Sequence, residues 1–262
     1  MSGRIDSPSN ARIVAAARAV RDVKVQLLEG TRTLADALDA GVVPDVVFAA
    51  PEPLPLDAET IERAREAGAE VVEVSPRVLA RLSDLESTRA LVALAPLPSA
   101  GLEDLDTTRT VLLLDGLQDP SNVGAILRVA EAFGAGGVVL TPGTSSPFAP
   151  KAFRASAGSA LRVPVARNVL STEVVKWARA AGAVLAGADA HGGDAPETLR
   201  GVAPLVLAIG SEGHGLSAPV VEALDRRVRI PLSPPVESLN AAVATGVLLY
   251  ALRESGRDAA PA

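Results

Sequence analysis

Three short stretches gather residue types that could do chemistry. The turn Gly210-Ser211-Glu212-Gly213-His214-Gly215 follows an apolar run, Leu205 to Ile209, and sets one carboxylate among glycines. Such a turn could cradle a phosphate or a dinucleotide, or simply reverse the chain between a strand and a helix. A nicotinamide site would place an acidic residue about 20 positions on, to hold the ribose hydroxyls. That region reads Arg226-Arg227-Val228-Arg229-Ile230-Pro231, which argues against nicotinamide. Ser238 and Asn240 flank Leu239 where an apolar helix opens at Glu237, and helix capping accounts for either of them on spacing alone. Asn122 is read as a loop residue just ahead of a helix that carries Arg128. On a helix the two would lie about 240° apart, but a loop side chain need not follow helical phase. Taken alone, Arg128 is an exposed helix arginine.

Two histidines, His191 and His214, have no evident triad partner and are too isolated for a zinc site. The absence of cysteine removes disulfides, thiolate metal sites and a thiol nucleophile. No metal is expected. Lys151, Arg154, Arg162, Arg167, Lys176 and Arg179 fall in a stretch whose only acid is Glu173. This local excess could face phosphates or form a solvated rim.

The elements that must position these groups alternate along the chain. Helix is expected from Asn10 to Val20 with Ser9 as its cap, its apolar side at Ile13, Ala16, Ala17 and Val20. Arg12, Arg18 and Arg21 lie off that side. Strands at Val25 to Leu28, Asp45 to Ala50, Glu70 to Ser75 and Ala90 to Ala95 alternate with helices at Thr31 to Ala40, Asp57 to Ala67 and Arg77 to Leu82. That pattern argues a small α/β domain over 1–97. Pro96-Leu97-Pro98-Ser99-Ala100-Gly101 marks a linker, placed at 98–106.

The second domain, 107–262, opens with a βαβ unit: strand Thr110 to Leu114, helix Val123 to Phe133, strand Val138 to Thr141. One helix from Pro150 to Ala160, a strand from Arg162 to Ala166, a helix from Thr172 to Ala181 and a strand from Ala183 to Ala186 follow. Leu205 to Ile209 and Val228 to Leu232 complete the sheet. Unbroken Val/Leu/Ile runs point to buried parallel strands. Loops at the carboxyl ends of two such strands make a crevice of the kind open α/β sheets use.

Composition narrows the partners. The net charge of −6, from 25 Lys+Arg against 31 Asp+Glu, weighs against a nonspecific nucleic-acid coat. One Trp, one Tyr and four Phe leave little for stacking bases. The polar start and the lack of a long apolar run suggest a cytoplasmic protein with no membrane partner.

Together the stretches resemble the SpoU/TrmH family of S-adenosylmethionine-dependent RNA ribose 2′-O-methyltransferases, within the knotted SPOUT class. Three motifs match in order. They are Asn122-Val123-Gly124-Ala125-Ile126-Leu127-Arg128, extended by Ala130, Phe133 and Gly134; then Ile209 to Leu216; then Ile230-Pro231 followed by Glu237-Ser238-Leu239-Asn240. Lys151 to Ser159 is similar to the segment between the first two. Ser7 to Asn10 and Leu28-Glu29-Gly30 look like the substrate domain of the family's rRNA enzymes. The resemblance implies a trefoil-knotted parallel-sheet domain near the C-terminus and a homodimer with sites at the subunit interface. It implies active-site groups at Asn122, Arg128, Glu212, Ser238 and Asn240. It also implies S-adenosylmethionine held by Thr141, Gly187, Ile209, Gly210, Gly213, Ile230 and Leu239, and RNA met by Arg12, Lys151 and Arg154. The substrate expected is rRNA, most specifically 23S rRNA, with tRNA as the alternative; a silent RNA-binding protein of the same fold is the third reading.

Overall fold

Short Val/Leu/Ile runs bounded by Gly, Pro or Asp form the strands in both halves of the chain. The computed structural model describes residues 4–83, 90–190 and 192–253, and divides between Pro98 and Ser99 into two units. His191 lies outside the described residues.

The first unit runs α1 (Ala11–Arg21), β1 (Gln26–Glu29), α2 (Thr31–Asp39), β2 (Val46–Ala49), α3 (Pro55–Glu66), β3 (Glu70–Glu73), α4 (Pro76–Leu82) and β4 (Leu91–Ala95). Its sheet has the order β1-β4-β2-β3, with β2 and β3 parallel and β4 antiparallel to both neighbours. Ile13 and Ala16 from α1 meet Phe48, Val78, Leu79 and Val92 in the core. The cap of α1 is Asn10, not Ser9: its side-chain oxygen accepts from the Arg12 N–H at 2.9 Å. Ser9 instead pairs with Ser7.

The second unit contains β5 (Val111–Asp115), α5 (Pro120–Ala132), β6 (Gly137–Leu140), α6 (Pro150–Ser156), α7 (Ser159–Arg162), β7 (Val165–Arg167), α8 (Ser171–Ala180), β8 (Val184–Ala188), β9 (Leu205–Gly210), α9 (Ala218–Ala223), β10 (Arg226–Val228) and α10 (Ala241–Leu252). Short 3-10 turns occur at Leu102–Asp104, inside the stretch read as linker, and at Pro196–Leu199. Six strands in the order β10-β8-β9-β5-β6-β7 form one sheet, parallel throughout. Leu112, Leu113, Leu114 and Leu207 are fully buried, as strands covered on both faces require.

The strand expected from Arg162 to Ala166 is β7 at Val165–Arg167, Arg162 instead ending α7, and four further boundaries differ for a local reason. Helix α5 begins at Pro120 because Asp119 caps it and proline suits the first helical position, so Asn122 belongs to the helix and not to a loop. The single helix expected over Pro150 to Ala160 breaks into α6 and α7, where Ala157 and Gly158 take left-handed conformations with φ of 49° and 86°. Strand β10 ends at Val228, ahead of Pro231. The stretch Glu237 to Asn240 lies outside any helix, and α10 starts only after Asn240 has capped it.

Candidate functional site

The carboxyl ends of β8, β9 and β10 open onto a crevice of about 520 Å³, walled on its far side by the first turns of α10. Buried parallel strands need their polar ends satisfied by loops, and those loops bring the motif residues together. Gly187 lies next to the end of β8, and Ile209 and Gly210 close β9. Glu212 and Gly213 come from the turn, Ile230 from the stretch after β10, and Ser238 and Leu239 from just before α10. All eight line the crevice.

The glycine-rich turn folds on itself. Ser211 and Gly215 exchange backbone hydrogen bonds at 3.0 and 2.9 Å, and the His214 N–H donates to Ser211 Oγ at 3.2 Å. Close approach explains Gly210: a Cβ there would stand 2.3 Å from the carbonyl carbon of Gly215. The stretch is therefore a tight turn and a pocket wall at once.

Three side chains form a directed chain at the edge of this crevice. Asn240 Oδ1 accepts from the backbone N–H groups of Ala242 and Val243 at 3.0 and 3.3 Å, capping α10. Only its amide nitrogen is then left to donate, and it reaches Asn122 Oδ1 at 2.8 Å. That fixes Asn122 in turn, whose Nδ2 donates to Glu212 Oε1 at 2.7 Å. Asn122 is 5% exposed and needs both partners, since a buried amide without them would cost about 1–3 kcal/mol. Capping thus accounts for one atom of Asn240, and the other atom carries positional information to the turn.

The remaining expected residues stand elsewhere. Arg128 is exposed, outside the crevice, and has no ion pair or hydrogen bond among the described residues. Thr141 is also outside the crevice lining: its hydroxyl donates to Asp115 Oδ1 at 2.9 Å and accepts from the Gly116 N–H at 3.0 Å. Lys151 Nζ reaches Asp119 at 3.2 Å, whereas Arg154 is exposed and unpaired among the described residues. Arg12 belongs to the first unit, where its guanidinium grips both carboxylate oxygens of Glu70. That contact holds the Glu70 carboxyl below its ordinary range.

Much of the basic excess between Lys151 and Arg179 is consumed internally. Arg162 pairs with Glu131, Arg179 with Asp225, and Arg167 stacks on Phe148 with its guanidinium 5.0 Å from the ring centre.

One structural residue escaped the sequence reading. Asp115 is 4% exposed, and its carboxylate accepts from Thr141, from Ser171 Oγ at 3.3 Å and from the Ser217 N–H at 2.7 Å. It ties the segment leaving the glycine-rich turn to the neighbouring strand and helix. The available signal was a carboxylate ending a buried strand, where an unpaired charge would not be tolerated. Asp189 and Arg227, 2.7 Å apart on the crevice lining, were likewise not singled out. No group of three potential metal ligands occurs among the described residues, and no helix there is long and apolar enough to cross a membrane.

Comparison with known proteins places this geometry. Residues 18–93 match an MRM3-like substrate binding domain. An uncharacterized tRNA/rRNA methyltransferase of Mycolicibacterium gilvum is 35% identical over 245 residues, covering 88% of this chain and 77% of that protein. A protein of Mycolicibacterium vanbaalenii with the same description is 42% identical over 149 residues; that match covers 57% of this chain and only about half, 48%, of the relative. Among solved structures, an AdoMet-bound rRNA methyltransferase from Sinorhizobium meliloti superposes with a TM-score of 0.85 at 27% identity, over 96% of this chain and 97% of that one. The SpoU methyltransferase AviRb from Streptomyces viridochromogenes, in complex with AdoMet, gives 0.82 at 29% identity over 93% and 97%. The motif residues gathered at the crevice all fall within residues 109–250, the stretch that matches the SpoU rRNA Methylase family, and the chain belongs to that family.

Proposed function

We propose that this protein transfers a methyl group from S-adenosylmethionine to a ribose 2′-hydroxyl of RNA, with 23S rRNA as the substrate class. The observation that best supports this reading is the Asn240–Asn122–Glu212 chain at the edge of the crevice, in a member of this family.

The crevice suits the cofactor. Its volume lies within the roughly 300–1,000 Å³ of small-molecule sites. Ile230, Leu232, Leu239 and Leu248 offer an apolar wall for a flat base, and Glu212 offers a carboxylate to a cationic group. The missing side chain at Gly210 lets the backbone of Gly215 and Leu216 close against the end of β9 and shape the crevice wall. When bound, S-adenosylmethionine supplies an electrophilic methyl on a sulfonium. The chain's own residues do the rest by holding groups in place, an effect worth roughly 7–11 kcal/mol when alignment is good. Asn122 and Asn240 orient Glu212. Arg128, always protonated, holds an RNA phosphate and stabilises negative charge developing on the ribose oxygen. Ser238 sits on the crevice wall as a hydroxyl donor or acceptor for substrate. Arg154 contributes a second phosphate contact.

The first unit is assigned to RNA capture. A second copy of the chain is assigned to α10, where Val243, Val247 and Tyr250 are 53%, 40% and 67% exposed along one face. Light scattering on a Val247→Glu variant should report monomers if this face joins two copies.

The deciding experiment incubates the protein with labelled S-adenosylmethionine and total RNA, then maps riboses that resist alkaline cleavage. A new resistant position in 23S rRNA is expected. Label confined to tRNA would move the substrate class, and no transfer at all, with RNA binding retained, would leave a silent RNA-binding protein.

A further inference from the structure

Helix α5 carries one cation, Arg128, and two carboxylates flank it: Asp119 at the cap and Glu131 three residues on. Residues three apart on a helix are neighbours on its surface, so Glu131 is the natural partner for the Arg128 guanidinium. It is not used that way. Glu131 accepts from Arg162 Nη2 at 2.9 Å, from Arg162 Nε, and from Ser159 Oγ at 2.5 Å. Ser159 and Arg162 are the first and last residues of α7. The bond from Arg162 holds the Glu131 carboxyl below its ordinary range, so its charge persists and stays paired with Arg162. Asp119 is treated alike, accepting from the Ser121 N–H at 2.9 Å and from Lys151 at 3.2 Å.

The segment 150–162 holds Lys151, Arg154 and Arg162 and no acid. Its position against α5 is fixed at Gly124, where a Cβ would lie 2.1 Å from the Ala152 carbonyl oxygen. Two of its three cations therefore cancel the two acids of α5. Helix α10, the other helix packed on α5, contains no charged residue.

We propose that Arg162 and Ser159 are positioning residues that sequester Glu131, keeping the Arg128 guanidinium open to an RNA phosphate. The proposal rests on the RNA methylation reading above. In it α7 has one specific role, which is to remove the single carboxylate on α5 able to compete with a phosphodiester.

The test compares wild type, Arg162→Gln, Glu131→Gln and the double variant Glu131→Gln/Arg162→Gln. Two readouts are taken: affinity for a short oligouridylate by fluorescence anisotropy, and methyl transfer to total RNA. Arg162→Gln should weaken oligouridylate binding about 1.5- to twofold at low salt, the scale of one surface pair on a helix. The gap should narrow as salt is added. The double variant should return to wild-type affinity, because the competing carboxylate is gone. Unchanged binding in Arg162→Gln would overturn the proposal, as would a double variant as weak as Arg162→Gln, since Arg162 would then touch RNA itself. If Arg162→Gln fails to fold, Ser159→Ala removes one of the bonds and should move binding in the same direction by less; no movement there overturns the proposal. The expected binding pattern without methyl transfer would sink the methylation reading and leave the sequestration standing. Methyl transfer with Arg162→Gln indistinguishable from wild type would sink the sequestration alone.

Discussion

Two arginines separate the halves of this chain. In the first unit Arg12 clasps Glu70 through two nitrogens and lies over Phe48, its guanidinium 6.0 Å from the ring centre. In the second unit Arg128 is exposed, and the carboxylate one helical turn away is held by other residues. Composition treats the two alike. What differs is whether neighbours leave the guanidinium's donors free.

The predictions test that contrast and the crevice beside it. The largest effect is expected from Arg128→Ala: single-turnover methylation should fall at least about 100-fold while cofactor affinity stays the same. An unchanged rate would erase the distinction between the two arginines. Gly210→Val comes next, because its side chain would be driven into the Gly215 backbone. Overpacking of this kind costs about 1–3 kcal/mol, so calorimetry should show S-adenosylmethionine binding weakened about 10- to 100-fold.

Asn122→Asp tests the direction of the amide chain, because it sets a carboxylate against Glu212. The pair's folded-state pKa would rise above its unfolded value, so stability would be lost as pH rises through the folded pKa and recovered below it. Thermal melts should show a deficit of about 1–3 kcal/mol near pH 8 that shrinks near pH 5. The smallest effect concerns RNA. Arg154→Ala should lower the log–log salt slope of RNA binding by about 0.7–0.9, the share of one phosphate contact. Arg12→Ala should leave that slope unchanged, because its charge is already spent on Glu70.

The sequence carried most of the sheet. Continuous apolar runs such as Val111 to Leu114 and Leu205 to Ile209 place buried parallel strands without ambiguity. It carried less of the termini: the break at Ala157–Gly158 comes from a left-handed alanine that no propensity marks, and α5 begins early because Pro120 and Asp119 act jointly. At the crevice, eight expected residues converge, because loops at strand ends have few places to go. Thr141 and Lys151 are held by Asp115 and Asp119, partners set by folding across 26 and 32 residues of sequence. Pairing of that kind cannot be read from composition.

The hydrogen-bonded link from the first turn of α10 to the turn after β9 also restricts how the crevice can breathe. Neither wall can swing outward by itself without parting a side-chain hydrogen bond to the buried Asn122. Any gating would have to carry both walls together as a single plate, with its pivot outside the span from Glu212 to Val243.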